Sequence, residues 1–420
     1  MSTPKFSTDK EALDAYMQRF APATLPPLPE TGIAAQARRT TTTVPTPPAT
    51  VVPALPAMLV NSKDRYEARL DYIARKLREQ TEALIGFDDF RNKVMIAPAG
   101  TIAWRPLSDE DMLRMRATFA ETYNFEAIGK ELMRDAFELV AADRHFDSGQ
   151  VWLDSLVWDG EPRVERFLTD YCGAADDEYS RAVSRYIWTG LAGRTLEPGC
   201  QLDMVVAMQS RQGTGKSTGL SLLAPALEQF TDGLSLHQDD DNFKRLIRGK
   251  TVVEIAELAG LSRADINVVK RAITRRVEEW IEKYKTHESR YLRRCMLFAS
   301  TNEREFLPAD ETGHRRWLPV EITELDRDRI VEDRDQLWAE GAARFRHSGI
   351  AWQDAERLAT GRHAKHEQHD VWESAIAEWL DTVPLAGGGK PGERPLRMSE
   401  ILSGANAPSR SNSASNSALD

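Results

Sequence analysis

The sequence predicts an α/β fold in which a parallel sheet is covered by helices on both faces. Three strongly apolar segments, at residues 204–208, 251–257 and 294–302, have the composition of buried strands. Helical segments between them supply the crossovers that parallel strands require. Because ligands bind beyond the carboxyl ends of such strands, we expect Lys216, Glu257 and Asn302 to meet at one edge of the sheet.

The composition bounds the class of protein. At 420 residues the chain is long enough for two or three domains, and its 55 basic and 65 acidic residues give a net charge of −10. No overall positive field indicates nucleic acid, so only local charge can do so. Cys172, Cys200 and Cys295 are far apart, which argues against a zinc site or a disulfide framework. With no signal peptide and no apolar run of ~20 residues, we expect a soluble cytoplasmic protein without a membrane partner.

Composition shifts divide the chain into five predicted segments. Residues 1–58 hold ten of the 21 prolines and a run of threonines, which predicts a disordered arm. Residues 59–150 combine amphipathic helices with a short hairpin and predict a small α+β module. An α/β domain is expected at 151–335, a helical region at 336–386, and a flexible linker and tail at 387–420.

Three helices and a hairpin are predicted in the small module. A capping box at residues 108–111 opens the second helix, and residues 98–100 form the turn of the hairpin. The apolar stripes, expected to be core, are Tyr66, Leu70, Ile73 and Leu77 in the first helix, Met112, Met115 and Phe119 in the second, and Ile128, Leu132, Ala136 and Leu139 in the third.

A phosphate-binding loop is predicted between the first apolar strand and the helix that follows it. In the pattern G-x-x-x-x-G-K-[ST], backbone N–H groups hold an anion, the lysine reaches the outer phosphates and the hydroxyl binds Mg²⁺. Ser210 stands where the leading glycine belongs, but Gly213 and Gly215 keep Cβ atoms out of the tight turn. A glycine-rich turn with a surface lysine is the alternative. The predicted nucleotide-binding residues are Gln212, Gly213, Thr214, Gly215, Lys216, Ser217 and Thr218.

Nucleotide hydrolysis also needs carboxylates, to help hold Mg²⁺ and to orient the attacking water. The second strand offers Glu254 and Glu257, which strand alternation places on opposite faces. Glu257 lies nearer the end of the strand and is the stronger candidate for water and metal, together with Ser217. Glu254 can lie beside it only if the strand ends early, and a structural role is its alternative.

Three polar residues follow the third strand. Asn302 stands at its tip, where it can contact the γ-phosphate and position the water, although asparagine is also a common turn residue there. Arg315 and Arg316 lie on a later tight turn. A planar, always-charged guanidinium suits a transferring phosphoryl group and can come from a neighbouring subunit. A surface ion pair is the alternative.

A basic strip is predicted between the second and third strands. Residues 263–294 carry ten lysines and arginines against five acids, a local excess of five in an acidic chain. Interleaved tyrosines suit a groove that follows a nucleic-acid backbone and stacks its bases. A solvated helix face is the alternative. The candidate contacts to single-stranded DNA are Lys270, Arg275, Arg276, Lys283, Tyr284 and Lys285.

Together these motifs resemble the virulence-associated protein E family, whose ATPase domain is similar to the superfamily 3 helicases of phages and plasmids. The match is strong over residues 145–325. The matching positions are 152–156, 158–160, 198–200, 212–218, 254–258, 270, 300–302 and 312–316. The resemblance implies an AAA-like P-loop core that hydrolyses ATP with Mg²⁺ and unwinds DNA during replication of a mobile element. It makes Glu257 the second-strand acid, Asn302 the sensor, and Arg315 or Arg316 the arginine supplied in trans.

The resemblance also implies partners. It predicts a homo-oligomeric, hexameric ring whose pore hairpin, within the basic strip, grips single-stranded DNA. Some relatives carry a primase domain ahead of this region, and since the proline-rich arm leaves no room for one, we expect any primase to be a separate chain. The chain departs from the family at Gln201, where a lysine is common, and at Glu279 and Ile281, where arginines are common. The last two departures weaken the expected DNA contact and leave the nucleotide site intact.

The leading hypothesis is therefore a ring-forming, ATP-driven DNA helicase of a phage, prophage or plasmid-like element. A regulatory or effector ATPase of such an element, which switches assembly state without unwinding DNA, is the alternative. A small-molecule kinase would need an acceptor site and a lid, and the sequence indicates neither.

Overall fold

The computed structural model describes residues 57–80, 83–234, 240–255, 271–281, 287–307 and 311–366. Almost all of the predicted arm (1–58) and the whole predicted tail (387–420) lie outside these ranges. The described helices are α1 (Leu70–Glu79), α2 (Asp109–Glu121), α3 (Lys130–Ala141), α4 (Ser148–Ser155), α5 (Phe167–Cys172), α6 (Glu178–Leu196), α7 (Lys216–Leu223), α8 (Asp240–Leu246), α9 (Arg327–Ser348) and α10 (Gln353–His363). The described strands are β1 (Ala83–Asp88), β2 (Lys93–Pro98), β3 (Arg105–Pro106), β4 (His145–Phe146), β5 (Val205–Gln209), β6 (Phe230–Leu234), β7 (Val252–Ile255), β8 (Val277–Ile281), β9 (Glu288–Leu292), β10 (Met296–Thr301) and β11 (Trp317–Glu321).

The N-terminal part of the described chain combines three helices with a small sheet. Its four-stranded sheet has the order β3-β2-β1-β4, with antiparallel pairs at β2–β3 and β1–β2 and a parallel pair at β1–β4. A hairpin is present where it was predicted, as β2 and β3, but its second strand is Arg105–Pro106 and not the apolar residues 101–104. The predicted capping box is also confirmed, because the hydroxyl of Ser108 accepts from the N–H of Asp111 and the Asp111 carboxylate accepts from the N–H of Ser108.

Two members of the predicted apolar stripes in this module are not core. Leu70 is the first residue of α1 and is 37% exposed, because the buried face of that helix begins only at Tyr72. Leu139 is 42% exposed because the buried stripe of α3 runs through Met133, Ala136, Phe137 and Val140 and passes beside it. Two further members, Tyr66 and Ile128, precede the helices that the sequence assigned them to, because α1 begins at Leu70 and α3 at Lys130. The direction of the predicted stripe in α3 was also wrong.

The larger part of the molecule is built on a five-stranded parallel sheet with the order β11-β5-β10-β7-β6. The three predicted strands are present as β5, β7 and β10. The sheet gains β6 and β11 at its two edges. Because β10 lies between β5 and β7, the end of β10 is the immediate neighbour of the loop that follows β5.

Helices cover both faces of this sheet, so the mixed α/β arrangement with a buried parallel sheet is confirmed. On one face Val206, Met208 and Phe298 pack in a cluster with Trp188 of α6 and Trp338 of α9. The clusters on this face also include residues of α5, α7 and α10. On the other face, residues of β5, β7 and β10 pack against α8. The predicted domain boundaries at 150/151 and 335/336 fall inside α4 and α9, so the chain is continuous helix at both positions.

A two-stranded antiparallel hairpin, β8–β9, leads directly into β10. Among the helices in the described ranges, none has the length and apolar character needed to cross a membrane.

Candidate functional site

The loop between β5 and α7 has the strand–turn–helix order that the sequence predicted. β5 ends at Gln209, the chain turns through residues 210–215, and α7 begins at Lys216. Gly213 and Gly215 have φ angles of +85° and +75°, in the left-handed region that favours glycine. The N–H of Ser210 donates to the carbonyl of Thr301 at 3.3 Å, so the loop is attached to the end of β10.

The side chain of Lys216 lies inside this loop and is buried. Its Nζ donates to Oδ1 of Asn302 at 2.7 Å and to Oγ of Ser210 at 2.9 Å, with longer contacts of 3.4 Å to the carbonyls of Ser210 and Arg211. Burial lowers the pKa of the Lys216 ammonium below its ordinary value, and the carboxylate of Glu254 acts in the opposite direction. The structure therefore brings Lys216 and Asn302 together at the carboxyl edge, as expected from their positions after β5 and β10.

Ser210, which replaces the leading glycine of the loop pattern, is a direct partner of the lysine. Besides accepting from Lys216, its Oγ shares a hydrogen bond with Oγ1 of Thr214 at 2.6 Å. The sequence indicated only that a serine could be tolerated here. No sequence signal pointed to this contact, because a motif fixes the course of the backbone and not the bonds of a side chain that departs from it.

Ser217 and Glu254 form the second pair of the site. Ser217 is the second residue of α7, and its hydroxyl donates to Oε1 of Glu254 at 2.9 Å. Glu254 lies on β7 (Val252–Ile255), and its contact with Ser217 places it at the loop. Glu257, which the sequence ranked above Glu254, lies outside the described residues.

The carboxyl group of Glu254 is fully buried beside the Ser217 hydroxyl. Burial raises its pKa above the ordinary value, while the hydroxyls of Ser300 and Ser217 favour the charged form. Within the described residues no group reaches its Oε2 in hydrogen-bonding geometry. A buried carboxylate oxygen without a partner is costly, and a cation beside Ser217 would supply that partner.

Arg315 and Arg316 lie at the amino ends of the parallel strands, whereas the loop lies at their carboxyl ends. They end a short 3-10 turn, Glu311–Arg316, that directly precedes β11, whose first residue, Trp317, pairs with Val205 at the start of β5. They line a cavity of about 340 Å³ together with Asp203, Glu356 and their neighbours. Within the described part of the chain neither guanidinium forms an ion pair, and neither reaches the loop of its own chain.

Of the predicted DNA contacts, Arg275 and Arg276 are described, whereas Lys270, Lys283, Tyr284 and Lys285 lie outside the described residues. Both described arginines have partners within the chain. Nε of Arg276 donates to the carbonyl of Gly199 at 2.7 Å, and Arg275 lies 3.5 Å from the carboxylate of Glu278.

The described part of the basic strip is less exposed than its composition suggested. Arg293 is buried in an ion pair with Glu278, and Arg294 is buried in an ion pair with Asp147 at the edge of the N-terminal module. Two of the ten basic residues of the strip therefore lie in the protein interior, each paired with an acid. A count along the sequence could not separate them from surface charges, because their partners lie 15 and 147 residues away.

A family model for the virulence-associated protein E-like domain matches residues 153–371, slightly more than half of the chain. The chain belongs to this family. The virulence-associated protein E-like domain begins within α4 and includes the five-stranded sheet, the loop, α9 and α10. The α+β module precedes the matched region.

Among solved structures, the chain is similar to the C-terminal region of NrS-1. The apo structure of its residues 305–718 has 12% sequence identity and a TM-score of 0.46, covering 74% of this chain and 77% of that one. The A-form apo structure of the same region has 13% identity and a TM-score of 0.44, covering 74% and 78%. No curated protein matches the chain. The family assignment rests on the domain match alone.

Proposed function

We propose that this protein is an ATPase of a phage, prophage or plasmid-like element, which hydrolyses ATP with Mg²⁺ in a ring and moves on single-stranded DNA. One observation carries the proposal. Two pairs of side chains meet at the carboxyl edge of the parallel sheet. Lys216 donates to Asn302 at 2.7 Å, and Ser217 donates to Glu254 at 2.9 Å. That arrangement supports a P-loop in which β5, α7 and residues 210–215 hold a nucleotide phosphate chain.

Lys216 and Asn302 act on the outer phosphates in this proposal. The ammonium of Lys216 exchanges its bonds with Ser210 and Asn302 for phosphate oxygens, where its charge stabilises the negative charge of the reacting phosphoryl group. The amide of Asn302 lies close enough to Lys216 to contact the same group and to orient the attacking water. Both residues are positioned by backbone elements, so little reorganisation is needed at the moment of reaction.

The residues around Ser217 fit Mg²⁺. Mg²⁺ takes oxygen ligands, and here a hydroxyl and a carboxylate lie 2.9 Å apart, with Oε2 of Glu254 buried and unpartnered within the described residues. Ser217 and Glu254 would hold the ion, directly or through water, and Glu257 remains the proposed acid that orients the attacking water. When bound, the ion neutralises charge on the phosphate oxygens.

The remaining steps of the proposal need a second copy of the chain. Arg315 and Arg316 lie at the far edge of the sheet and are proposed to complete the site of a neighbouring subunit in a hexameric ring. The hairpin β8–β9, whose connection (282–286) includes Lys283, Tyr284 and Lys285, is proposed to contact single-stranded DNA.

The test is the ATPase rate of wild type and Lys216→Ala, each with and without single-stranded DNA. We expect turnover that rises with DNA and falls about 100-fold to 1,000-fold in Lys216→Ala, the range for removing one preorganised charge-stabilising group. Lys63→Ala, which changes an exposed lysine of the N-terminal module, should keep the wild-type rate. Equal rates for wild type and Lys216→Ala would rule out this ATPase site. If the protein hydrolyses ATP but neither binds single-stranded DNA nor changes its ATPase rate in the presence of DNA, the proposed movement on DNA is ruled out.

A second candidate function is a regulatory ATPase of such an element that changes its assembly state without unwinding DNA. The hairpin favours it, because its described strands carry Glu279 and an exposed Ile281, while Arg293 is internal. Nucleotide-dependent assembly without strand separation would support this second candidate over the first.

A further inference from the structure

Arg327, the first residue of α9, places its guanidinium against the loop. A Cβ atom on Gly215 would overlap Nη2 of Arg327 and lie 3.1 Å from its Cζ and 3.3 Å from its Nε. Gly215 directly precedes Lys216, so the two cations flank the same turn of the backbone. Arg327 lies 112 residues beyond Gly215 in the sequence, and no motif includes it.

The start of α9 is fixed in this position by contacts on both sides. Leu325 packs so closely against α7 that a Cβ on Gly219 would come within 2.6 Å of Leu325 Cδ1. The N–H of Asp326 donates to the carbonyl of Tyr171 at 2.9 Å, and the Asp326 carboxylate caps α9 by accepting from the N–H of Arg329. Arg327 is therefore carried by a rigid helix start and held over the loop.

Arg327 differs from Arg329, two residues further along the helix. Arg329 donates to the carbonyl of Asp170 at 3.2 Å, lies 3.7 Å from the Asp170 carboxylate and stacks 4.4 Å from the centre of the Tyr171 ring. Arg327 is exposed, and the part of the chain that the structure describes offers it no hydrogen bond or ion pair. Arg329 has a structural role, whereas no group in the described ranges engages the planar fork of donors on Arg327, which lies beside the proposed anion-binding turn.

We propose that Arg327 binds the phosphates of a nucleoside di- or triphosphate in the same subunit that supplies Lys216. The inference rests on the proposed nucleotide-binding function and adds a residue to it. A guanidinium that approaches the turn at Gly215 can bind phosphate oxygens with two parallel hydrogen bonds, which an ammonium cannot do. The site then has two kinds of arginine: Arg327 in cis at the carboxyl edge, and Arg315 and Arg316 at the far edge.

The first experiment measures binding of ATP, ADP and adenosine, with Mg²⁺, to the full chain by calorimetry. Arg327→Gln should lower the affinity for ATP and ADP about 10-fold to 100-fold, as expected for the loss of hydrogen bonds to a charged group, and leave the affinity for adenosine unchanged. The affinities of Arg327→Lys for ATP and ADP should lie between those of wild type and those of Arg327→Gln. The matched control, Arg329→Gln, should lower the melting temperature and keep the wild-type preference for ADP over adenosine.

The second experiment distinguishes cis from trans action by mixing variants. Arg327→Gln mixed with Lys216→Ala should give no more ATPase activity than the two measured separately, because both variants damage the site of their own subunit. Activity above that sum would overturn the assignment in cis. If Arg327→Gln binds ADP within twofold of wild type, the inference fails and the proposed function stands. If wild type binds neither ATP nor ADP, the proposed function fails and the inference fails with it.

Discussion

The side chains of the proposed site hold one another in place through hydrogen bonds within the protein. The ammonium of Lys216 has a neutral oxygen partner in each of Ser210 and Asn302, which satisfies its donors while its burial disfavours the charge. The serine at position 210 supplies one of these partners, which the leading glycine of the usual pattern cannot do. The departure from the pattern therefore adds a bond to the site and leaves the turn itself to Gly213 and Gly215.

At the residue scale, Glu254→Gln tests the proposed Mg²⁺ site. The amide keeps the volume of the side chain but cannot bind the cation as a carboxylate does, and it removes the cost of a buried charge. We expect the melting temperature without Mg²⁺ to stay equal or rise, and the additional rise that Mg²⁺ gives in the presence of ADP to disappear. Glu279→Gln, at an exposed glutamate, is the control. An unchanged Mg²⁺-dependent rise would exclude Glu254 from the site.

The residues that the sequence placed correctly are those whose position depends on local backbone. Lys216 follows from the glycines of its own loop, and Asn302 follows from the end of an apolar strand. Two candidate acids three residues apart could not be ranked from the strand pattern, and Glu254 is placed at the loop only by its contact with Ser217. The contact of Arg327 with Gly215 depends on the packing of α9 against α7, for which the sequence contains no local signal.

At the element scale, the hairpin β8–β9 connects the N-terminal module to the sheet. Tyr291 of β9 is buried, and its hydroxyl donates to the carbonyl of Phe90 in the module at 3.1 Å. Arg294 pairs with Asp147, the residue that caps α4. These contacts lie directly before β10, so the strand that ends at Asn302 starts from a segment attached to the module.

The buried pair of Glu278 on β8 and Arg293, directly after β9, yields the second prediction. Glu278→Leu alone leaves the buried charge of Arg293 without its partner, which should lower the free energy of unfolding by about 3–5 kcal/mol. Arg293→Met alone should lower it by less, because Glu278 keeps its longer contact with Arg275. The double variant Arg293→Met with Glu278→Leu should cost clearly less than the sum of the two single changes. Urea unfolding of each variant measures this.

The exposed pair on the same hairpin is the control for that prediction. Arg290 and Glu279 lie 3.5 Å apart with most of both side chains in solvent, so Arg290→Met should cost less than about 1 kcal/mol. If Arg290→Met and Arg293→Met lower the free energy of unfolding by similar amounts, the buried ion pair of Arg293 stabilises the protein no more than the exposed pair does.

The sequence predicted those strands of the five-stranded sheet whose apolar composition is enough to identify them. β5, β7 and β10 are mainly apolar, with Glu254 the one charged residue among them, and all three are central in the sheet. The two edge strands were missed because β6 contains Asp232 and Gly233 and β11 contains Pro319, residues that are rare in strands but tolerated at an edge. Their pairing is decided by the finished sheet and not by their own sequence.

At the scale of the whole molecule, the sheet separates the two halves of the proposed catalytic apparatus. β5 and β11 run parallel, with Val205 paired to Trp317 at one end and Gln209 paired to Glu321 at the other. Five residues of extended strand span about 17 Å, a distance that an arginine side chain on one edge cannot bridge to the loop on the other. If Arg315 or Arg316 takes part in hydrolysis, it does so at the loop of another copy.

This geometry predicts that ATP turnover depends on assembly. Turnover per chain should rise with protein concentration and level off when rings are complete, with sedimentation measured on the same samples. Replacing Arg315 and Arg316 together with alanine should lower turnover about 1,000-fold or more, which is the contribution of an arginine supplied in trans, and should leave ADP binding intact.

Mixing the Arg315→Ala, Arg316→Ala variant with Lys216→Ala should restore turnover, because each chain supplies what the other lacks. The control is Arg357→Ala, at an exposed arginine of α10, which should keep the wild-type turnover. Constant turnover per chain at concentrations where the protein is a monomer would show that one chain holds a complete site and that the arginine pair has another role.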